Sequence, residues 1–554
     1  MPSAPSPDPT ALSIPPSAEP TPPPAPARRE GTALEPLSGP VFRMLWLAWL
    51  TANMCMWMND VAAAWLMTTL SGSPGMVALV QTASTLPVFL LGLPSGALAD
   101  ILDRRRYFMA TQFWVAGVSL LACAALATGS MTPSLLLVLT FANGIGLAMR
   151  WPVFAAIVPE IVPRPQLPAA LALNGVAMNA SRIFGPLLAG ALIASAGSTW
   201  VFVLNAVLSV ATGFVIMRWR REARPSGLPG ERFVGAMRVG LQHVRQSPRM
   251  HFVLMRVSLF FFQAAATMSL LPLVAKGLPG GDAGTFTLLL SSLGAGAIAA
   301  ALGMQQLRRR FGRDQLLLGG SLVQAAATVG LAFAPNVFVA APVMVISGAA
   351  WISVANSLTV TAQMALPDWV RARGMSVYQM ALMGSSALGA AVWGQVANVI
   401  DVQASLIAAA ATGVAALWFA RGYGENVAEE EDLRPARLAS LPVTAEPVDP
   451  DAGPVLITIE YRIDPARAAE FRAVMAETRR ARLKQGALSC ELFRDTADSS
   501  RYIEHLIDES WTEHLRRFDR TTAADAALRE RRLQFHIGAE PPVIRRCIAE
   551  PEGR

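Results

Sequence analysis

Asp60 stands in the stretch NMCMWMNDVAAAWLM, Asn53 to Met67, which is otherwise dominated by apolar residues. A carboxylate in such a setting can take up and release a proton as its surroundings change, or it can hold a buried cation in a fixed ion pair. Two arginines bear on that choice. Arg150 shares a helical face with Asn143 and Gly146, and Arg182 shares one with Asn179 and Pro186, each inside an apolar run. A charge deep in hydrocarbon costs about 2.5–3.5 kcal/mol even on the lenient insertion scale, so all three groups demand a partner or a watery cavity. Asp60, Arg150 and Arg182 are therefore the proton-coupling candidates, with an ion pair from Asp60 to Arg150 or Arg182 as the alternative. Asn53 and Trp57 lie on the helical face of Asp60 and, with Asn143, Asn179, Gln263, Asn356 and Gln363, are the candidates to line a cavity. Arg256 sits so near the start of its apolar run that snorkelling to the interface accounts for it.

The elements that would position these residues are membrane helices. The chain is 53% hydrophobic and only 15% charged, with a mean hydropathy of +0.40, which places it among integral membrane proteins. Twelve apolar runs, each of roughly 20 residues or more, follow one another between Val41 and Ala420, and each is long enough to cross a bilayer. Alternate loops carry the cations, including Arg104 to Arg106, Arg164, Arg308 to Arg310, Arg313, Arg371 and Arg373. The intervening loops hold only Lys276. By the positive-inside rule both termini are cytoplasmic, in a bacterial cytoplasmic membrane. The same dispersal of the +7 formal charge speaks for topology and against nucleic acid as a partner.

The expected division is a Pro-rich disordered arm over 1–40, a six-helix half over 41–218, a basic cytoplasmic loop over 219–250, a second six-helix half over 251–421, a linker over 422–454 and a small domain over 455–550. Gly185 and Gly190 of the first half recur at a constant offset as Gly389 and Gly394 of the second, and Pro163 recurs as Pro367. Parallel six-helix halves are the repeat pattern of a rocking transporter with its site between them. The fold class expected is thus an all-α membrane protein of twelve transmembrane helices in two halves, with a C-terminal α+β domain. No GxxxxGK[ST] loop is present for ATP, and the cysteines and histidines lack metal-ligand spacing, so no cofactor or metal is expected.

The segment GALADILDRRR, Gly96 to Arg106, resembles the loop motif of the major facilitator superfamily, Gly-x-Leu-Ala-Asp-Arg-x-Gly-Arg-Arg. Gly96, Asp100, Arg104 and Arg105 fit, while Ile101 and Asp103 depart from it. The resemblance implies a charge latch between the halves; simple positive-inside anchoring is the alternative. The stretches around Asp60, PEIVPRPQLPAALALNGVAMNASRIFGPLLAG and ALPDWVRARGMSVYQMALMGSSALGAAVWG are similar to the branch of that superfamily that holds the enterobactin exporter and the transmembrane secretion effectors. GPLLAG resembles the drug:proton antiporter motif, with Gly185, Pro186 and Gly190 allowing close helix approach. Thr140 stands about where many antiporters carry an arginine. What the resemblance implies is a secondary-active, proton-driven exporter of a small amphipathic molecule, siderophore or drug-like, and not an enzyme.

In the last hundred residues the apolar alternation changes period. VLITIEYRI, LSCELFRD, RYIEHLID and PVIRRCIAE are strand-like, and DPARAAEFRAVMAETRRARLKQ and SWTEHLRRFDRTTAADAALRERRLQF are each expected to form one amphipathic helix. This β-α-β-β-α-β order is ferredoxin-like. The segment resembles the dimeric α/β-barrel of antibiotic-biosynthesis-type monooxygenases. Its His505 and His514 lack metal-ligand companions and Trp511 reads as packing, so a regulatory or dimerising module, with a second copy of the chain as partner, is expected over a fused monooxygenase or a membrane sensor.

Overall fold

The computed structural model describes residues 34–219, 233–424, 431–436, 442 and 444–550. Most of the arm expected over 1–40 lies outside the described residues, as do parts of the basic loop and of the linker and the side chains of Asp100 and Asn179. Six helices form the first half: α1 (Pro40–Leu70), α2 (Pro74–Ile101), α3 (Arg104–Ala127), α4 (Pro133–Ile161), α5 (Leu167–Ala196) and α6 (Ser198–Arg218). After α7 (Phe233–Gln246) come α8 (Pro248–Gly277), α9 (Ala283–Arg310), α10 (Arg313–Ala332), α11 (Val337–Met364), α12 (Arg371–Val399) and α13 (Val402–Gly424).

The local sequence explains where several helices begin. Ser73, Thr132 and Ser247 each precede a proline and accept a hydrogen bond from the backbone N–H three residues on, at Met76, Leu135 and Met250. Proline at the first position loses only a donor that had no helical partner, and the hydroxyl satisfies another. Among the described residues, eleven helices are long and apolar enough to cross a membrane. They are α2 to α6 and α8 to α13. The first of the twelve expected spans, α1, is 31 residues long, but Asn53, Asn59 and Asp60 dilute its apolar character. The stretch 219–250 is not all loop: α7 is a 14-residue amphipathic helix within it.

Four of the glycines at close helix crossings show how the internal repeat governs which helices meet. A Cβ on Gly185 of α5 would strike Trp57 of α1, and one on Gly389 of α12 would strike the Phe262 carbonyl of α8. Both contacts lie within a half. A Cβ on Gly190 would instead strike Thr287 of α9, and one on Gly394 would strike Ala78 of α2, both across the halves. Each glycine thus does in its own half what its repeat mate does in the other.

The C-terminal domain is a four-stranded antiparallel sheet of β1 (Val455–Arg462), β2 (Ser489–Arg494), β3 (Arg501–Asp508) and β4 (Val543–Ile548) in the order β2-β3-β1-β4. Its helices are α14 (Ala468–Lys484), α15 (Trp511–Asp519) and α16 (Ala523–Leu533). The single helix expected after β3 is two, because Thr522 and Asp525 form a capping box that starts a second helix. All three helices cover the sheet face that carries Ile457, Tyr461, Tyr502 and Leu506.

This domain docks on α7. Arg238 pairs with Glu509 at 2.6 Å, Gln242 Nε2 donates to the Ala487 carbonyl at 2.7 Å, and Arg520 lies 5.1 Å from the Trp369 ring centroid just before α12. His243, 5% exposed, meets Trp369 edge-on and has Nδ1 3.2 Å from the Lys484 carbonyl. A carbonyl only accepts, so Nδ1 carries the hydrogen.

Burial holds the His243 pKa down at about 4, below the usual histidine value of about 6.5. A depressed pKa means that docking is at full strength above pH ~6.5 and is lost as pH falls through 4. Hydrogen exchange of α7 followed against pH should show protection falling across that window, and His243→Phe should remove the dependence. The glycine crossings give a second expectation. Gly389→Val, which meets backbone inside one half, should lower unfolding free energy by about 1–3 kcal/mol. Gly394→Val, which meets the Ala78 side chain across the halves rather than backbone, should lower the detergent melting temperature less than Gly389→Val does.

Candidate functional site

The middle of α1 organises the site. Trp49, Ala52, Asn53, Met56, Trp57 and Asp60 fall on one side of it, at spacings of three and four residues. α4 and α5 each bring an arginine against that side. Arg150 of α4, 3% exposed, donates through Nη1 to the Ala52 carbonyl at 3.0 Å, with Nη2 4.0 Å from Met56 Sδ and its guanidinium 5.5 Å from the Trp49 ring centroid. Arg182 of α5 lies between two indoles, Trp57 at 5.7 Å and Trp351 of α11 at 4.6 Å. The Nε atoms of both arginines are buried and have no hydrogen-bond partner among the described residues.

Asp60 is bonded elsewhere. Its Oδ1 accepts from Ser84 Oγ of α2 at 2.9 Å. The structure does not bring Asp60 into an ion pair with Arg150 or Arg182 among the described residues. Both Asp60 and Arg182 keep part of their surface exposed. A carboxylate held by one neutral hydroxyl has no fixed counter-ion, so its charge is free to change without stranding a buried cation.

The cavity-lining candidates divide. Asn53, 1% exposed, donates to the Trp49 carbonyl at 2.8 Å, and its Oδ1 has no partner among the described residues. Asn143 Oδ1 is likewise buried without a partner there. Gln263 turns away from the halves' interface, towards α13, where Gly413 makes room for its amide. Asn356 is half-buried on α11, and Gln363 is exposed. The position of the Asn179 side chain lies outside the described residues. Arg256, expected to snorkel, pairs with Asp314 at 2.9 Å and packs on Phe252. Sequence reading missed Trp351, whose place beside Arg182 comes from the other half of the chain, and Ser84, one hydroxyl among many.

The latch segment ties down the first half. Arg104 pairs with Glu160 of α4 at 2.7 Å, and Arg105 donates to the Met217 carbonyl of α6. Asp103, a departure from the superfamily pattern, caps α3 by accepting from the Arg106 N–H at 2.8 Å. Gly96 is half-buried on α2, and the Asp100 side chain lies outside the described residues.

One side of the interface between the halves is sealed. On the cation-poor side the apolar core runs continuously from Met58, Leu66 and Met67 of α1 to Leu271 of α8 and Phe286 of α9. Trp65 stacks on Phe286 at 5.7 Å, Lys276 Nζ donates to the Thr68 carbonyl at 2.7 Å, and Ser73 Oγ donates to Asn398 Oδ1 at 2.8 Å. On the basic-loop side each half instead has its own core, around Trp49 and Phe154 in the first and Phe261 and Tyr378 in the second.

In the C-terminal domain, His514 has both ring nitrogens committed. Nδ1 bonds Asp508 at 2.8 Å, and Nε2 accepts from Arg546 Nε at 3.1 Å. Burial would push the Asp508 carboxyl up, but Arg517 and His514 hold it below its ordinary value. Trp511, 8% exposed, packs in the domain core, and the His505 ring lies 4.9 Å from that of Phe493, tilted by 60°, on the opposite face of the sheet.

The profile of the family described as transmembrane secretion effector matches residues 31–553. The chain is 26% identical over 351 residues to the uncharacterized MFS-type transporter YfiS of Bacillus subtilis, covering 61% of this chain and 82% of that one. It is 25% identical over 380 residues to MdtD of Cronobacter sakazakii, a protein named for multidrug resistance, covering 59% and 79%. Among solved structures, a POT family transporter in complex with 5-aminolevulinic acid superposes with a TM-score of 0.58 at 10% identity, over 71% of this chain and 97% of that one. A bacterial homolog of the lysosomal transporter Spinster, inward-facing and occupied, gives 0.56 at 16%, over 70% and 97%. At such identities the likeness is one of fold. With the family profile spanning nearly the whole chain, and two six-helix halves that meet where Trp351 of the second faces Arg182 of the first, the chain belongs to the transmembrane secretion effector family and is a multi-pass membrane transporter of the major facilitator superfamily.

Proposed function

We propose that this transporter is a secondary-active exporter, driven by protons, that moves a small amphipathic molecule by alternating access. The observation that carries the reading is Asp60: a carboxyl in the centre of the first helix, partly exposed, hydrogen-bonded to Ser84 and paired with neither arginine. Such a group can load a proton from one side and release it to the other as the halves rock. The seal on the cation-poor side and the separate cores on the basic side fit a site that faces the cytoplasm in this state, with α1 as the twelfth span and both termini cytoplasmic. The multidrug-resistance name of MdtD supports an amphipathic, drug-like cargo. Asp100, with Arg104 and Arg105, is assigned the latch between the halves.

The C-terminal domain, on this reading, is a ferredoxin-like regulatory and dimerising module. The antiparallel order β2-β3-β1-β4 and three helices on one face support that fold. The other face carries Leu456, Ile503 and Ile507 with Phe493 51% and Val543 49% exposed, and docking on α7 leaves it uncovered. A second copy would cover it. Residues 451–554 expressed alone should therefore sediment as a dimer at micromolar concentration; a monomer would count against the module.

Asp60→Asn tests the central point. The amide keeps the carboxyl's shape and can still bond Ser84, but it cannot carry a proton. In proteoliposomes the variant should bind cargo with wild-type affinity, melt within a few degrees of wild type and lose proton-driven export. Export by the wild-type protein that survives an uncoupler, or an unchanged pH dependence in the variant, would overturn the reading.

A further inference from the structure

The site holds more positive charge than its own residues answer. Arg182 has no hydrogen bond and no carboxylate partner among the described residues, only the faces of Trp57 and Trp351. Arg150, 3% exposed, bonds one backbone carbonyl and a thioether, and its Nε has no partner among the described residues. The nearest acid on the organising face of α1, Asp60, is engaged by Ser84 from another helix. Two fixed cations and one acid that is neutral for part of the cycle leave a net positive centre in the membrane at every step. Membrane-embedded charge is tolerated where something answers it. Resting on the transporter reading above, we infer that the answering charge is the cargo, and that the cargo is an amphipathic organic anion: an aromatic carboxylate, sulfonate or phenolate.

The placement of the groups says how such a molecule would bind. Trp57 comes from the first half and Trp351 from the second, so the Arg182 guanidinium sits at the seam, sandwiched by indoles that belong to opposite moving bodies. An anion that takes hydrogen bonds from the edge of the guanidinium engages α5 through charge, while its aromatic body packs beside the two indoles whose faces the guanidinium covers. Met54 and Met56 on the neighbouring turns of α1 are half-buried and can repack around cargos of different outline. Arg150, one turn of α1 away at Ala52 and Met56, adds attraction without needing contact. The sign of the site's charge therefore selects the cargo class, and the tryptophans tolerate variety within it.

The test uses the full-length protein in nanodiscs of zwitterionic lipid, so that no anionic headgroup competes, and three probes that share one ring system: 2-naphthoate, 2-naphthamide and 2-naphthylmethylammonium. Titration should give 2-naphthoate an affinity at least tenfold above the other two. Arg182→Gln should abolish that preference, Arg182→Lys should restore part of it, and Arg150→Gln should weaken it less than Arg182→Gln does. Equal binding of the three probes, tighter binding of the cation, no binding of 2-naphthoate up to its solubility limit, or an unchanged preference in Arg182→Gln would each overturn the inference. Should Arg182→Gln fail to accumulate, the wild-type comparison and Arg182→Lys still decide. Because these are equilibrium measurements with no gradient, a failure of proton coupling would leave the binding preference standing, and a failure of the preference would leave proton coupling untouched.

Discussion

Helix backbones in this protein touch at points where no side chain fits, and the rest of the membrane part depends on those contacts. Lipid tails are as apolar as leucine, so helices in a bilayer are held by close packing and internal hydrogen bonds rather than by escape from water. Gly185 and Gly389 let α5 and α12 lie against α1 and α8, which builds each half as a unit. Gly190 and Gly394 let the same two helices meet α9 and α2 of the opposite half. One helix in each half thus carries both the permanent contact and the seam contact, one turn and a half apart. That arrangement keeps the contacts that build each half separate from those between the halves.

The packing and the charged centre are the same structure seen twice. Gly185 leaves room for Trp57 to lie flush on α5, and Trp57 is one of the two indoles that face Arg182, three residues earlier on that helix. A side chain at position 185 would push the indole off the guanidinium. Pro186 adds to this, since it lacks the N–H that would bond the carbonyl four residues back, that of Arg182 itself. The glycine-proline pair therefore shapes the surroundings of the arginine as well as the crossing of the helices. On the same side of α1, Arg150 spends one donor on the Ala52 carbonyl, which ties α4 to α1.

The soluble domain is joined to the membrane part through the segment that links the halves. α7 contacts the C-terminal end of α14 through His243 and the turn that follows it through Gln242, and Gly486 of that turn approaches Val239 closely. Gly240 of α7 fits against Arg373 at the start of α12, so one 14-residue helix lies between the domain and a helix that bears the seam. Burial of His243 without charge makes this contact apolar at its centre, with the Arg238–Glu509 pair, about a third exposed on each partner, at its edge. An exposed pair of that kind adds at most about 1 kcal/mol, so the apolar centre holds the domain in place.

Much of the membrane architecture was legible in the sequence because the bilayer leaves so few solutions: apolar runs become helices, and the arginine-bearing loops alternate with the cation-poor ones. The serine-proline and threonine-proline helix starts are local, and so is the repeat of Gly185 and Gly190 as Gly389 and Gly394. Asp60, Arg150 and Arg182 could be picked out for the same reason, since a charge in an apolar run is conspicuous by itself. The strand alternation of the C-terminal domain gave its elements, though the capping box at Thr522 split a helix that periodicity alone reads as continuous. What the sequence could not decide is who meets whom. α7 is too short and too polar on one face to read as more than part of a basic loop, and only the domain packed on it explains its apolar side. Whether Asp60 pairs with an arginine or with Ser84, and that Trp351 closes over Arg182 from the other half, are decided by how the helices rotate and cross. The physical reason is that a charge announces its cost along the chain, whereas its partner is chosen by packing between residues far apart in it.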